Sequence, residues 1–527
     1  MEKIYPINIT GIKNIGTEKW LKSYYIPVTG KEFKNIYEKV FKSYFDTIKQ
    51  YDNGIIYWIT LSNINIPYYV SLYILELLRF IRLKEKGYEY IIGQKKEKIP
   101  ESISAYKFPS LSNLNIIVKG MSELTPQERA KNILRTIKYN FSAPVSTNKY
   151  FLTNISSPVF FIGNRSQKEV VAYCNQNKIS PIYLSPMLFA KSQYKGPNLE
   201  PQLSQLIGFS NDFLALIKER YFVNNENIFI LLKRSLEEEL KYSLIFFKQN
   251  LSVFAKHKPK TLLATGPGAT IHRLFCSVWR YAGGRVIGFT HGNSYSHCYM
   301  SNVFIQYSMV DQFIASSKGH EEIIRQSPKD FMPDYKMPNM GHLENNIYKP
   351  LFGRLQSDPP VKKIKRIMVI GNIAKSYIGI DAEFHAFAFL YNELKLIELL
   401  KTAGYHVVYK ARPDTLDETE GIFETYADQV LTDRLEDVYH YADCLLFSSP
   451  YSTTFGFSLL TNKPIVLINI KGYTWYPRAF ELIKKRCYVV EAKTVDERIV
   501  FNEQDVIDAV QESINNINYD ILYEFAF

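Results

Sequence analysis

The stretch "ADCLLFSSPYSTTFGFSLLTNKPIVLIN", residues 442–469, sets an apolar run, Cys444 to Phe447, directly against a cluster of hydroxyls: Ser448, Ser449, Ser452, Thr453 and Thr454. A short helical run follows, then a second apolar run, Ile465 to Ile468. Strand, polar turn, helix, strand is the grammar of a parallel α/β sheet, whose inner strands are buried on both faces and read as unbroken apolar runs. One hydroxyl is enough to cap a helix start by accepting a backbone N–H. Five at one turn point to a ligand as well, because free amides at a helix N-terminus and neighbouring hydroxyls together suit a phosphate.

The same grammar recurs on either side. "PVFFIGN" (158–164) reads as a strand, "SQKEVVAYCNQN" as a helix and "SPIYLSP" as the next strand. "KTLLATG" (260–266), a helix, "RVIGFTHG" (285–292), "DQFIASS" (311–317) and a helix from near Lys318 continue the series. Residues 346–365, "NIYKPLFGRLQSDPPVKKIK", carry three prolines and a run of cations with little apolar pattern, and read as a linker. The alternation then restarts with "KRIMVIGN", an amphipathic helix closed by Gly404, "YHVVYKARP", the opening stretch and "CYVVEA". The expected organisation is therefore an α/β chain of two Rossmann-like domains facing each other across a cleft. The first spans 1–345 with an N-terminal elaboration, the second 366–501, and a helix in 502–527 crosses back to the first. In open parallel sheets, ligands sit beyond the carboxyl ends of the strands, so the residues there are the ones to inspect.

Composition sets the outer limits. A chain of 527 residues is too long for one ordinary domain, and 46% hydrophobic with 22% charged residues is ordinary for a globular protein. A net charge of +12 favours acidic partners, yet the charge is spread along the chain without a basic block. No basic stripe with interleaved aromatics stands out, so nucleic acid is not expected as a partner. Cys174, Cys276, Cys298, Cys444 and Cys487 form no C-x-x-C pair and read as reduced thiols of a cytoplasmic protein. The opening "MEKIYPINITGIKN" lacks the apolar core of a signal peptide. Residues 66–81, the most hydrophobic stretch, are too few for a membrane span and are interrupted by Glu76 and Arg79.

Each expected strand end carries small or polar residues. Gly266 and Gly268, in "TGPGAT", either let backbone amides approach an anion or simply make a tight turn. His291 follows an apolar strand and precedes Gly292, a place for a general base or a ligand contact, or for a structural histidine; His297 is a weaker candidate. Lys410 and Arg412 alternate at the end of a strand, so both are expected to point into the cleft, where a guanidinium suits a diphosphate.

In order and spacing these signals, over residues 260 to 490, resemble the GT-B glycosyltransferases of bacterial surface polysaccharides, in particular the CDP-glycerol glycerophosphotransferase-like proteins and the Kdo transferases. The "FIASSKGHEEIIRQ … NMGHLENNIYKP" passage resembles their interdomain segment. The resemblance implies a GT-B enzyme that moves a sugar from a nucleotide donor, CMP- or CDP-linked in preference to UDP-linked, to a glycan or lipid-linked glycan acceptor. His291 would be catalytic, and Gly266, Gly268, Lys410, Arg412, Ser448, Ser449, Ser452, Thr453 and Thr454 would bind the donor. No cofactor is implied, and no D-x-D metal motif is present. A lipid-linked acceptor and a basic chain imply peripheral contact with anionic membrane, at the inner face of the cytoplasmic membrane. Two departures stand out: the family's histidine in K-x-H-P is Arg412 here, and its acidic residue after the first loop serine is replaced by Ser449-Pro450-Tyr451. The alternatives are a nucleotide-sugar epimerase of the same architecture and a non-catalytic polysaccharide-assembly protein.

Overall fold

The computed structural model describes residues 4–6, 9–51, 54–92, 95–97, 159–163, 167–184, 186, 198–222, 225–257, 260–265, 269–290, 307–326, 337–344, 348–372, 386–413, 416–450, 452–473 and 475–527. A small sheet of β1 (Ile4–Pro6), β2 (Glu89–Ile92) and β3 (Lys95–Glu97) ties the ends of a helical N-terminal segment together. Its longest helices, Gly30–Ile48 and Ile66–Glu85, pack against each other. The first carries a reciprocal cap, with Thr29 accepting from the Glu32 N–H and Glu32 accepting from the Thr29 N–H.

The first large sheet contains β4 (Val159–Ile162), β5 (Ile182–Tyr183), β6 (Thr261–Thr265), β7 (Arg285–Phe289), β8 (Gln312–Ala315) and β9 (Asn339–His342). Its order is β5-β4-β6-β7-β8-β9, and every neighbouring pair is parallel. Two long helices, Glu200–Tyr221 and Glu226–His257, lie between β5 and β6 in the chain and pack against each other; the sequence reading above does not include them. They meet the N-terminal segment, where Tyr44 sits edge-on to Phe209 and Phe213. The fully buried Arg273, on the helix Thr270–Tyr281, donates to the carbonyls of Leu61 and Ser62 and so caps the helix Ile55–Ser62.

The second large sheet contains β10 (Arg366–Ile370), β11 (His406–Lys410), β12 (Gln429–Leu431), β13 (Cys444–Phe447), β14 (Ile465–Ile470), β15 (Tyr488–Val495) and β16 (Arg498–Phe501). Its order is β12-β11-β10-β13-β14-β15-β16, parallel throughout except for the β15–β16 hairpin. Every residue of β13 and β14 is buried, as unbroken apolar runs in the middle of a covered sheet require. Both large sheets are of the Rossmann-like α/β kind, with helices between most successive parallel strands.

Between the sheets, part of the expected linker forms the helix Lys349–Leu355. The C-terminal residues Leu522–Ala526 pack on the helix Lys318–Gln326 of the first sheet, where the Ser317 hydroxyl donates to the Phe525 carbonyl at 2.5 Å. The apolar stretch 66–81 falls within the buried helix Ile66–Glu85. Among the described residues no single helix is long and apolar enough to cross a membrane; Ile55–Ser62 and Ile66–Glu85 meet that combination of length and composition only together, as a pair bent by 51°. Cys174, Cys276, Cys444 and Cys487 are buried thiols outside any disulfide, and Cys298 lies outside the described residues.

Candidate functional site

In the second sheet β10 and β13 are neighbours, although the chain runs out to β11 and β12 and back between them. Where successive connections leave in opposite directions a crevice opens beyond the carboxyl ends. Gly371 and Asn372 follow β10 at that edge, Ser448 and Ser449 follow β13, and Ala411 and Arg412 follow β11. The fold thus brings the hydroxyl cluster and the basic strand end to one place.

The hydroxyls divide by role. Ser452 is the N-cap of the helix Thr453–Leu460, accepting the Phe455 N–H at 3.1 Å, and its oxygen lies 2.7 Å from the Thr454 hydroxyl. Thr453 is exposed on the first turn. Ser448 is only 2% exposed, and its hydroxyl oxygen has no hydrogen-bond partner. Burying a hydroxyl without a partner costs about 1–3 kcal/mol in proteins. The Ser448 carbonyl accepts from the Tyr473 hydroxyl at 2.8 Å, which fixes the turn from the β14 side. Ser449 is buried beside it.

Lys410 and Arg412 differ in depth. Lys410 is 4% exposed, its ammonium donates to the Ala411 carbonyl, and burial lowers its pKa against the pull of Asp433 and Glu436. Arg412 is half-buried, past the end of the strand, and its charge is felt by Glu393. Gly371 is required here, because a Cβ would come within 2.5 Å of the Tyr409 hydroxyl and 2.9 Å of the Lys410 carbonyl.

Glu393 is a buried carboxyl near the crevice that the sequence reading does not single out. It sits on the helix Ala386–Thr402, fully buried, accepting the Asn372 N–H at 2.7 Å and the Tyr409 hydroxyl at 2.8 Å. Burial raises its pKa to about 7, against the opposing effects of Tyr409, Asn372 and Arg412. It therefore fixes the loop after β10 and the end of β11 relative to each other, and it titrates near neutrality beside the crevice. In the sequence Asn392 and Glu393 stand in an amphipathic helix that also carries Lys395, Glu398 and Lys401, so the pair does not stand out. Among the described residues no group of His, Cys, Asp and Glu is arranged to hold a metal ion.

No family model matches the chain, and no curated protein matches it. Among solved structures it is similar to the UDP-N-acetylglucosamine 2-epimerase from Rickettsia bellii, at 14% identity and a TM-score of 0.34, over 69% of this chain and 88% of that one. It is also similar to Phytolacca americana UGT2 complexed with UDP-2fluoro-glucose and pterostilbene, at 10% identity and a TM-score of 0.33, over 70% and 92%. At these identities the chemistry of the site is read from this chain's own residues.

The first sheet's candidates fall elsewhere. Gly266, Gly268, His291 and His297 lie outside the described residues. At the end of β8 the Ser316 hydroxyl lies 2.8 Å from His320 Nδ1, and Ser317 caps the following helix through the His320 N–H at 3.2 Å. Ser317 also holds the C-terminal segment, so that serine pair has a structural task.

Proposed function

We propose that the chain is a glycosyltransferase that moves a sugar from a nucleotide donor to a glycan acceptor, with the donor phosphates held at the turn Ser448–Thr454. The observation that carries this reading is the buried, unpartnered Ser448 hydroxyl at the switch point of the sheet, just before a helix N-terminus, with Arg412 following β11 two strands away. Ser449 and Thr453 flank it, and Lys410 supports the strand end from below. A departing nucleoside diphosphate gains negative charge, and preorganised dipoles and cations stabilise that charge without reorganising. His291 is the proposed base for the acceptor hydroxyl, with Gly266 and Gly268 offering amides from the first domain. Cytidine-linked donors and a lipid-linked acceptor fit the sequence resemblance, and the net charge of +12 supports salt-sensitive contact with anionic membranes.

Calorimetric titration with CDP, UDP and GDP tests the phosphate site. Arg412→Ala should weaken binding by about 1.5–3 kcal/mol, the usual loss for a charged hydrogen bond. Ser448→Ala should weaken it less while leaving the ligand-free fold as stable as the parent or more so. Parent-like affinity in both variants would place the phosphates elsewhere. Turnover of a nucleotide sugar without acceptor would favour epimerisation over transfer. Loss of turnover by about 10²–10⁴-fold in His291→Ala, with donor affinity retained, is expected of a general base.

A further inference from the structure

A cavity of about 650 Å³ opens at the carboxyl end of β14, on the side away from β10. Tyr473, which lines it, is the residue whose hydroxyl holds the Ser448 carbonyl, so the cavity adjoins the serine turn. Its lining joins an aromatic pair to a fixed carboxylate. Trp475 and Phe480 stack with centroids 4.8 Å apart and planes 24° from parallel. The Trp475 indole N–H donates to Asn469 Oδ1 at 2.8 Å, and Asn469 Nδ2 donates to the two Glu491 oxygens at 3.1 and 2.9 Å. That amide orientation is forced, since an indole N–H only donates and an ionised carboxylate only accepts. Glu491 is exposed at the cavity, and after receiving the amide its two oxygens retain further lone pairs.

The far wall is the β15–β16 hairpin, and it is anchored from outside. Its turn residues Asp496 and Glu497 both adopt the left-handed conformation, at φ 47° and 60°, without a glycine or asparagine to ease it. The N-terminal segment holds the turn there: the Tyr24 hydroxyl donates to the Glu497 carbonyl at 2.8 Å, and the Gly30 N–H donates to Glu497 Oε2 at 3.0 Å. Arg498 lies over the rings of Tyr24 and Tyr391, 5.5 Å from each centroid. The cavity is therefore shaped before any ligand arrives, as ligand sites usually are.

We propose that this cavity binds a saccharide ring, with Glu491 accepting from two neighbouring hydroxyls and the Trp475–Phe480 pair under the ring's apolar face. An aromatic surface beside one oriented carboxylate suits a ring that is apolar on its faces and hydroxylated at its edge. The carboxylate disfavours a phosphate in the same place, so the serine turn and the cavity divide a nucleotide sugar's chemistry between them; in that respect the inference rests on the phosphate reading above. Lys471 and Lys493 stand exposed at the rim. The ring belongs either to the donor's sugar or to the glycan acceptor.

The test is calorimetry and saturation-transfer NMR on the full chain and its Glu491→Gln and Trp475→Ala variants. The probes are UDP, CDP, UDP-glucose, UDP-N-acetylglucosamine and a panel of methyl hexopyranosides and oligosaccharides at millimolar concentration. Both variants should weaken a saccharide-bearing probe by about tenfold or more, the loss of one or two good hydrogen bonds, and should bind UDP and CDP like the parent. Weakened nucleotide sugar assigns the cavity to the donor ring; weakened free oligosaccharide assigns it to the acceptor. Glu491→Gln changes an exposed position and carries the test if Trp475→Ala does not fold. Saccharide binding that is unchanged in Glu491→Gln, or no saccharide-bearing probe gaining affinity over the bare diphosphate in the parent, overturns the proposal. Ser448→Ala and Arg412→Ala, titrated with UDP and CDP, report on the phosphate site separately.

Discussion

Replacing Glu393 by Gln should stabilise the protein at neutral and alkaline pH and do nothing comparable in acid. The carboxyl is fully buried, and its pKa rises from 4.5 to about 7, chiefly through burial. A carboxyl whose folded pKa exceeds its unfolded value binds its proton more tightly when folded. Its contribution is therefore greatest below about 4.5, declines as pH rises to about 7, and is constant at a lower level above that. The interval of about 2.5 pH units between 4.5 and 7, at about 1.4 kcal/mol each, is worth about 3 kcal/mol. Gln keeps the shape, still accepts the Asn372 N–H through its oxygen, and can donate to the Tyr409 hydroxyl through its nitrogen. It carries no charge at any pH. Urea unfolding of parent and Glu393→Gln at pH 4.5, 6 and 8 measures the difference. The variant's stability relative to the parent should grow by about 3 kcal/mol between the extremes. A difference that stays flat across that range would refute the reasoning, and with it the claim that burial governs this carboxyl.

Arg486→Met should cost about 1–3 kcal/mol by thermal or urea unfolding, because buried backbone carbonyls are left without donors when it is removed. It donates to the carbonyls of Leu459 at 3.1 Å, Thr461 at 2.6 Å and Lys463 at 3.1 Å. A cost below about 1 kcal/mol would mean that water replaces those bonds. Gly319→Ala should loosen the C-terminal segment, since a Cβ there would lie 2.4 Å from the Glu524 carbonyl oxygen and 2.7 Å from Phe525 Cα. Faster hydrogen exchange across residues 520–527, with the sheets unaffected, is the expected result; parent-like protection would contradict it.

The strands were legible because both sheets are covered on two faces, which forces runs such as Leu445-Leu446-Phe447 and Ile465 to Ile468. The cap at Ser452 was legible for the same local reason, a hydroxyl before a helix start. What depends on distant partners was not. The alternation that suggests Lys410 and Arg412 share a side holds only within a strand, and β11 ends at Lys410. Ser448 and Ser449 look alike in sequence, and only the packing around them shows that the Ser448 hydroxyl is buried without a partner. Glu393 meets Asn372 and Tyr409 across 21 and 16 residues of chain. The β15–β16 hairpin lacks the Asn-Gly or Asp-Gly that marks such a turn, because its strained residues are held by Tyr24 and Gly30 from the far end of the chain.

The helix Thr453–Leu460 shows how these pieces serve one site. Eight residues are too few for a helix to be stable alone, so its orientation depends on what holds its ends. At the C-terminus the buried Arg486 donates to backbone carbonyls, and its guanidinium lies over the Tyr519 ring at 5.3 Å. Burial lowers its pKa, and the negative end of the helix dipole offsets part of that penalty. At the N-terminus Ser452 satisfies one amide, and Tyr473 fixes the preceding turn through the Ser448 carbonyl. Both ends of the helix are thus tied, while the Ser448 hydroxyl in the turn before it keeps no partner. The buried Arg486 and the buried unpartnered Ser448 hydroxyl at its two ends each carry a desolvation cost.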